Sequence, residues 1–196
     1  MNEVAGTRTR DIARAAVRTE LAQVAFGLFR SEGFEKVTLD DLAAAAGVSR
    51  STFLRYFGTK EDVVVGAFDV LGERVAEALR ARPAGEDDWT ALRHALEPVI
   101  DHYRQDPAGT LALVRLVMAT PALCARQREK QHGWRPGVAQ ALAERSRPPA
   151  MTVAHEVRAA AALDCLDISV ERWAASGGEL GLADLLDEAF AAVVPR

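Results

Sequence analysis

Two cysteines in 196 residues are too few for a disulfide framework, and Cys124 and Cys165 stand at no metal-ligand spacing. Buried, reduced thiols are the expectation. No apolar run approaches the ~20 residues needed to cross a bilayer, so no membrane contact is expected. The N-terminus also lacks the charged-then-apolar order of a secretion signal, which points to a cytoplasmic chain. Strand-like alternation and internal repeats are missing, which leaves an all-α reading. Catalytic signatures are missing too: there is no glycine-rich phosphate loop, nucleophile elbow or HExxH motif. His94, His102, His132 and His155 are scattered, with no two at i, i+4. His102 and Asp106 stand four apart, but Pro107 follows at once and no third ligand is evident. No catalytic residue, metal or cofactor is therefore expected.

What is present begins with a 49% apolar composition in 21.2 kDa, enough for one compact core or two small ones. The stretch from Thr38 to Lys60, TLDDLAAAAGVSRSTFLRYFGTK, reads as two short helices and a tight turn. Leu39, Leu42, Ala43 and Ala46 recur at helical spacing, and Thr38 with Asp41 forms a variant capping box. Gly47 can turn left-handed without steric cost, Val48 plugs the helix pair, and Ser49 caps the second helix. Phe53 and Phe57 share its inward face. Arg50, Ser51, Thr52 and Arg55 are of no use to a core, whereas hydroxyls and guanidinium groups reach base edges and phosphates in a major groove. An ordinary helical hairpin is the alternative.

The flanks extend the pattern. Leu21, Val24, Ala25, Leu28 and Phe29 predict an amphipathic helix ended by Glu32-Gly33. Downstream, Thr59 caps a long helix from Lys60, with Val64, Phe68, Leu71, Val75 and Leu79 as its stripe and Pro83 as its stop. This order resembles the DNA-binding domain of the TetR family of bacterial regulators. The matching residues are A25-F-x-L-F-x-x-x-G33-F34, V37-T38-L39-x-x-L42-A43-x-x-A46-G47-V48-S49, T52-F53 and Y56-F57-x-T59-K60-E61. The resemblance implies that Thr38, Tyr56 and Lys60 touch phosphates while Arg50, Ser51 and Thr52 face the groove. Leu54 departs from it, because the family usually carries an aromatic there and a phenolic hydroxyl is lost.

Charge agrees once divided. Residues 1–60 hold nine Lys/Arg against seven Asp/Glu, and the remainder fifteen against twenty-one, giving +2 and −6 for the total of −4. The positive part coincides with the reading head. Arg8, Arg10, Arg14 and Arg18 lie in or just after an arm expected to be flexible; they could follow the phosphate backbone or form a solvated tail.

Three regions are expected: an arm and helix–turn–helix domain over 1–60, a connecting helix over 61–82, and a helical ligand-binding and dimerisation domain over 88–196. The polar Pro83–Asp88 segment marks the boundary. A helix from Asp88 to Gln105 should be kinked or divided by Pro98, and another runs from Pro107 to Ala119. Pro121 opens a third that is expected to be interrupted near Gly133 and Pro136, before a loop at Arg147-Pro148-Pro149. Broken helices leave gaps for small molecules, and candidate lining residues are Leu96, Ile100, Tyr103, Leu113, Leu116, Val117, Trp134 and Leu163, each also suited to plain core.

The Val153–Ala175 helix carries two apolar stripes: Val157, Ala161, Cys165 and Ile168, and Leu163, Leu166, Val170 and Trp173. The last helix adds Leu182, Leu185, Leu186, Ala189, Phe190 and Val193. A helix wanted by two neighbours suggests a two-fold, four-helix interface formed by Val157, Ala161, Cys165 and Ile168 with Leu182, Leu185, Leu186, Ala189 and Phe190. One large core is the alternative. The segment from Ala125 to Gln131, followed by Trp134, is similar to the acyl-CoA-like ligand branch of the TetR family. That resemblance implies a long apolar slot, with Arg126, Arg128 or Lys130 available to phosphates unless they form a solvated face. The expected protein is a homodimeric repressor released from a palindromic double-stranded operator by an apolar effector. A helical adaptor, or a ligand-binding protein without operator recognition, is the alternative.

Overall fold

The computed structural model describes residues 2–146 and 150–193, without the side chains of residues 2–12 and 67. The expected loop at Arg147-Pro148-Pro149 and the side chains of Arg8 and Arg10 lie outside the described residues. The chain forms two units, one ending at Ala67 and the other beginning at Phe68. Among the described residues all regular structure is helical.

The first unit contains α1 (Asn2–Glu32), α2 (Leu39–Ala45), α3 (Arg50–Tyr56) and α4 (Lys60–Val65). Because α1 already runs from Asn2, the arm expected to be flexible is helical backbone. Gly33 ends α1 at φ +89, its N–H bonding the Phe29 carbonyl at 3.0 Å. Leu21, Ala25, Phe29, Phe34, Val37, Leu42, Ala43, Phe53 and Phe57 are buried. The rings of Phe29 and Phe34 lie 5.0 Å apart, and those of Phe53 and Phe57 5.3 Å apart. Each such side chain contributes about 1.5–3 kcal/mol on burial, which lets short helices persist that would not form alone.

The single helix expected from Lys60 to Pro83 is divided. A 3-10 turn, Gly66–Phe68, separates α4 from α5 (Leu71–Arg80). Val63, Val64 and Val65 are consecutive, β-branched and all buried, and Gly66 follows, so helix propensity is lowest where the break falls. The boundary between the two compact units lies in this turn.

The second unit continues with α6 (Asp88–Ala95), α7 (Glu97–Gln105), α8 (Pro107–Ala119), α9 (Pro121–Ala143), α10 (Val153–Ala175) and α11 (Leu182–Val193). Pro98 occupies the first turn of α7, where its missing N–H costs nothing, so the predicted division falls at Leu96. The interruption expected at Gly133 and Pro136 does not occur, and α9 runs through both. It packs along α5 and α10, and Val138, Ala139, Ala141 and Leu142 beyond the proline are buried. That burial offsets the roughly 3 kcal/mol an interior proline costs. Among the described residues no single helix is long and apolar enough to cross a membrane.

Candidate nucleic-acid interface, cavity and pairing surface

The helix–turn–helix is built by local hydrogen bonds. Thr38 Oγ1 accepts from Asp41 N at 3.3 Å and donates to Asp41 Oδ2 at 2.6 Å, while Thr38 N reaches the same oxygen at 2.9 Å. These bonds hold the Asp41 carboxyl below its usual range. Gly47 takes φ +66, which lets its own N–H and that of Val48 close on the carbonyls of Ala44 and Ala43. Ser49 Oγ then accepts from Thr52 N at 3.1 Å and starts α3.

With Phe53 and Phe57 buried, α3 leaves Arg50, Ser51, Leu54 and Arg55 exposed and Thr52 and Tyr56 half-buried. Ser49 Oγ lies 3.0 Å from Ser51 Oγ and donates to Thr52 Oγ1 at 2.9 Å, so the hydroxyls form one polar cluster. Arg50 pairs with Asp40 at 3.3 Å on an exposed surface. Such a pair is worth at most ~1 kcal/mol and gives way readily to an outside acceptor. The Arg55 guanidinium lies 5.8 Å from the Tyr56 ring centre, and Arg14 donates to the Arg55 carbonyl at 3.3 Å. Thus Arg14, Arg55 and Tyr56 line one shallow depression between α1 and α3. Lys60 turns toward its own domain: its Nζ donates to the Phe34 and Val37 carbonyls at 3.0 and 3.3 Å and sits 4.4 Å from the Phe34 ring. One of its three N–H groups is left for an external oxygen.

The second unit holds a half-open cavity of about 70 Å³ between α8, α9 and α10. Of the eight predicted lining residues, Tyr103 and Val117 reach it. Leu96, Ile100 and Leu163 are core side chains, whereas Leu113 and Leu116 are half-buried elsewhere. Trp134 lies against Gly72, where a Cβ would come within 2.4 Å of its ring. Phe68, Val114, Met118 and Val170 complete the apolar wall, and Gln127, Arg128, Gln131, Asp167 and Glu171 form the polar end. Asp167 is a charged member of α10 at this end, and sequence reasoning missed it along with the rest of the lining beyond Tyr103, Val117 and Arg128. Its signal is an acid between Leu166 and Ile168 in the apolar run of α10.

Asp167 Oδ1 accepts from Gln131 Nε2. Burial, opposed by that bond, lifts its carboxyl to about 6. Burial and then the nearby Asp167 push the Tyr103 phenol above its usual value. Gln127 Oε1 is buried without a hydrogen-bond partner among the described residues. The basic cluster is already engaged: Arg126 with Glu129 at 2.6 Å, Arg128 with Glu171 at 3.9 Å, and Lys130 with Asp69.

The two stripes of α10 part company. Leu163, Leu166 and Trp173 are buried, whereas Val157 and Ile168 are 59% and 62% exposed and Ala161 is half-buried. Cys165 does not belong to the outer stripe; it is buried, and burial raises its thiol. On α11, Leu185 and Ala189 stand half-exposed beside Ile168 along a surface groove. Leu182, Leu186 and Phe190, expected at the pairing surface, are buried in their own unit instead. Phe190 meets Trp89 edge-on at 6.2 Å. The cause is geometric: α11 packs on both α10 and α6, and its widest apolar side is used there.

Residues 21–67 match the bacterial regulatory proteins of the tetR family, and residues 86–196 match the MftR C-terminal domain. TcmR of Streptomyces glaucescens, an HTH-type transcriptional regulator, is 34% identical over 137 residues, covering 65% of this chain and 60% of that protein. MftR of Mycobacterium tuberculosis, named as a regulator of mycofactocin biosynthesis, is 31% identical over 137 residues, covering 68% and 67%. FadR of Thermus thermophilus, a TetR-type repressor solved with lauroyl-CoA, superposes with a TM-score of 0.57 at 23% identity, covering 91% of this chain and 96% of that one. At that identity the likeness bears on the fold.

Proposed function

The chain belongs to the TetR family of bacterial transcriptional regulators, and we propose that it is a homodimeric repressor released from a palindromic operator by a small apolar effector. The first unit is the reading head and the second is the ligand-binding and dimerisation domain. The observation that carries this is α3, whose aromatic side is buried while Arg50, Ser51 and Arg55 project outward beside Thr52. An adaptor or a bare ligand carrier has no use for that surface. Docked in a major groove, Arg50, Ser51 and Thr52 read base edges, and Thr38, Ser49, Arg55, Tyr56 and Lys60 hold phosphates.

Val157, Ala161, Ile168, Leu185 and Ala189 form the pairing face, an exposed apolar strip of the kind a partner subunit covers. Two-fold pairing sets the reading helices about one turn (~34 Å) apart. The effector enters the α8–α9–α10 cavity and favours a dimer with the wrong spacing, a population shift set by differential affinity. FadR, solved with lauroyl-CoA, lends support to an acyl-CoA effector. Against it stands a cavity of about 70 Å³, well below the ~300 Å³ or more typical of ligand sites.

The test is a mobility shift with DNA flanking the chain's own gene. Retardation of one fragment, competed only by itself and lost in Arg50→Ala, is the expected result. Equal retardation of unrelated fragments refutes operator recognition.

A further inference from the structure

Resting on the reading of the α8–α9–α10 cavity as the effector site, we propose that the effector is a small organic cation, an apolar body bearing a protonated amine that docks on Asp167 and Gln127.

Hydrogen-bonding capacity at the polar end carries this. Gln127 Oε1 is an acceptor, buried and unmet. Asp167 has one oxygen on the Gln131 amide, and among the described residues no cation lies within ion-pair distance of it. The neighbouring cations lean first on other carboxylates: Arg128 on Glu171 at 3.9 Å in an exposed pair, and Arg135 on Asp164 at 3.1 Å. The polar end offers a buried amide oxygen and a carboxylate, both acceptors, and an ammonium brings donors and positive charge together. A carboxylate or a phosphate entering instead meets Asp167 and Glu171, with Arg128, shared with Glu171, as the basic residue lining the cavity.

The walls fit the same ligand. Phe68 and Tyr103, their rings 6.4 Å apart, line the same cavity as the carboxylate. Aromatic faces attract cations, and Val114, Val117 and Val170 take an apolar body. The space of about 70 Å³ suits a single ring better than a long acyl chain. Burial already makes the ionised Asp167 costly, and an incoming ammonium relieves that cost.

Isothermal titration of the full chain with benzylamine, benzoate and lauroyl-CoA tests the ligand class, with operator mobility shifts run on the same samples. Benzylamine is expected to bind at least ~10-fold more tightly than benzoate, and Asp167→Asn to weaken benzylamine ~10–100-fold while sparing benzoate. Benzoate or lauroyl-CoA binding as tightly as benzylamine overturns the cation, as does benzylamine binding that is absent or indifferent to Asp167→Asn. Failure of the underlying functional reading looks different: benzylamine binds through Asp167, yet the operator complex stays intact. Release of the operator by lauroyl-CoA alone rejects the cation and leaves the regulator standing.

Discussion

Asp167→Asn should make the protein more stable at neutral pH, because it removes a charge whose burial the Gln131 hydrogen bond and the Arg128 charge only partly offset. The carboxyl rises from 3.8 to about 6, burial being the largest cause. At ~1.4 kcal/mol per pH unit, holding it ionised costs at most ~3 kcal/mol. Partial exposure to solvent brings the expected gain to ~1–2 kcal/mol. Asparagine keeps an oxygen for the Gln131 amide, so the hydrogen bond survives. The sign follows from proton uptake. Between about pH 4 and 6 the folded chain holds a proton that the unfolded chain has lost, so wild-type stability falls as pH rises through that window. The variant's advantage should therefore be negligible below pH ~4 and complete above pH ~7. Urea unfolding of both proteins from pH 4 to 8 measures it. A variant that is equally or less stable at pH 8 refutes the view of Asp167 as a strained carboxylate.

Arg50→Ala should weaken specific operator binding by ~1–3 kcal/mol without altering the salt slope, and an unchanged affinity removes Arg50 from base reading. Gly72→Ala drives a methyl into the Trp134 ring and should cost ~1–3 kcal/mol with a shifted Trp fluorescence; wild-type stability means the ring moves aside freely. Arg145 donates to the carbonyls of Arg82, Pro83 and Glu86 at 3.0, 3.1 and 2.9 Å, so Arg145→Met should destabilise by ~1–3 kcal/mol and expose that loop to proteolysis. Unaltered cleavage there contradicts it. Ile168→Glu with Leu185→Glu should yield monomers of normal helicity by sedimentation, and a persistent dimer moves the pairing surface elsewhere.

The helix–turn–helix was legible because its information is local. Thr38 with Asp41, Gly47 and Ser49 fix caps and a turn within a few residues, and the spacing of Phe53 and Phe57 decides which side of α3 is buried. The same locality explains the correct division at Pro98 and the ends of α8, α10 and α11. Tertiary structure decided what periodicity leaves ambiguous. An apolar stripe says that a helix side is covered, not by what: Phe190 and Leu186 went to the chain's own core, while Ile168 and Val157 stayed outside. Packing against two neighbours carried α9 through Pro136, and three buried valines before Gly66 ended α4 early. The cavity belongs wholly to this second kind. Gln127, Gln131 and Asp167 stand up to forty positions apart, and only the packing of α9 on α10 brings an unmet amide oxygen and a half-buried carboxylate to one cavity.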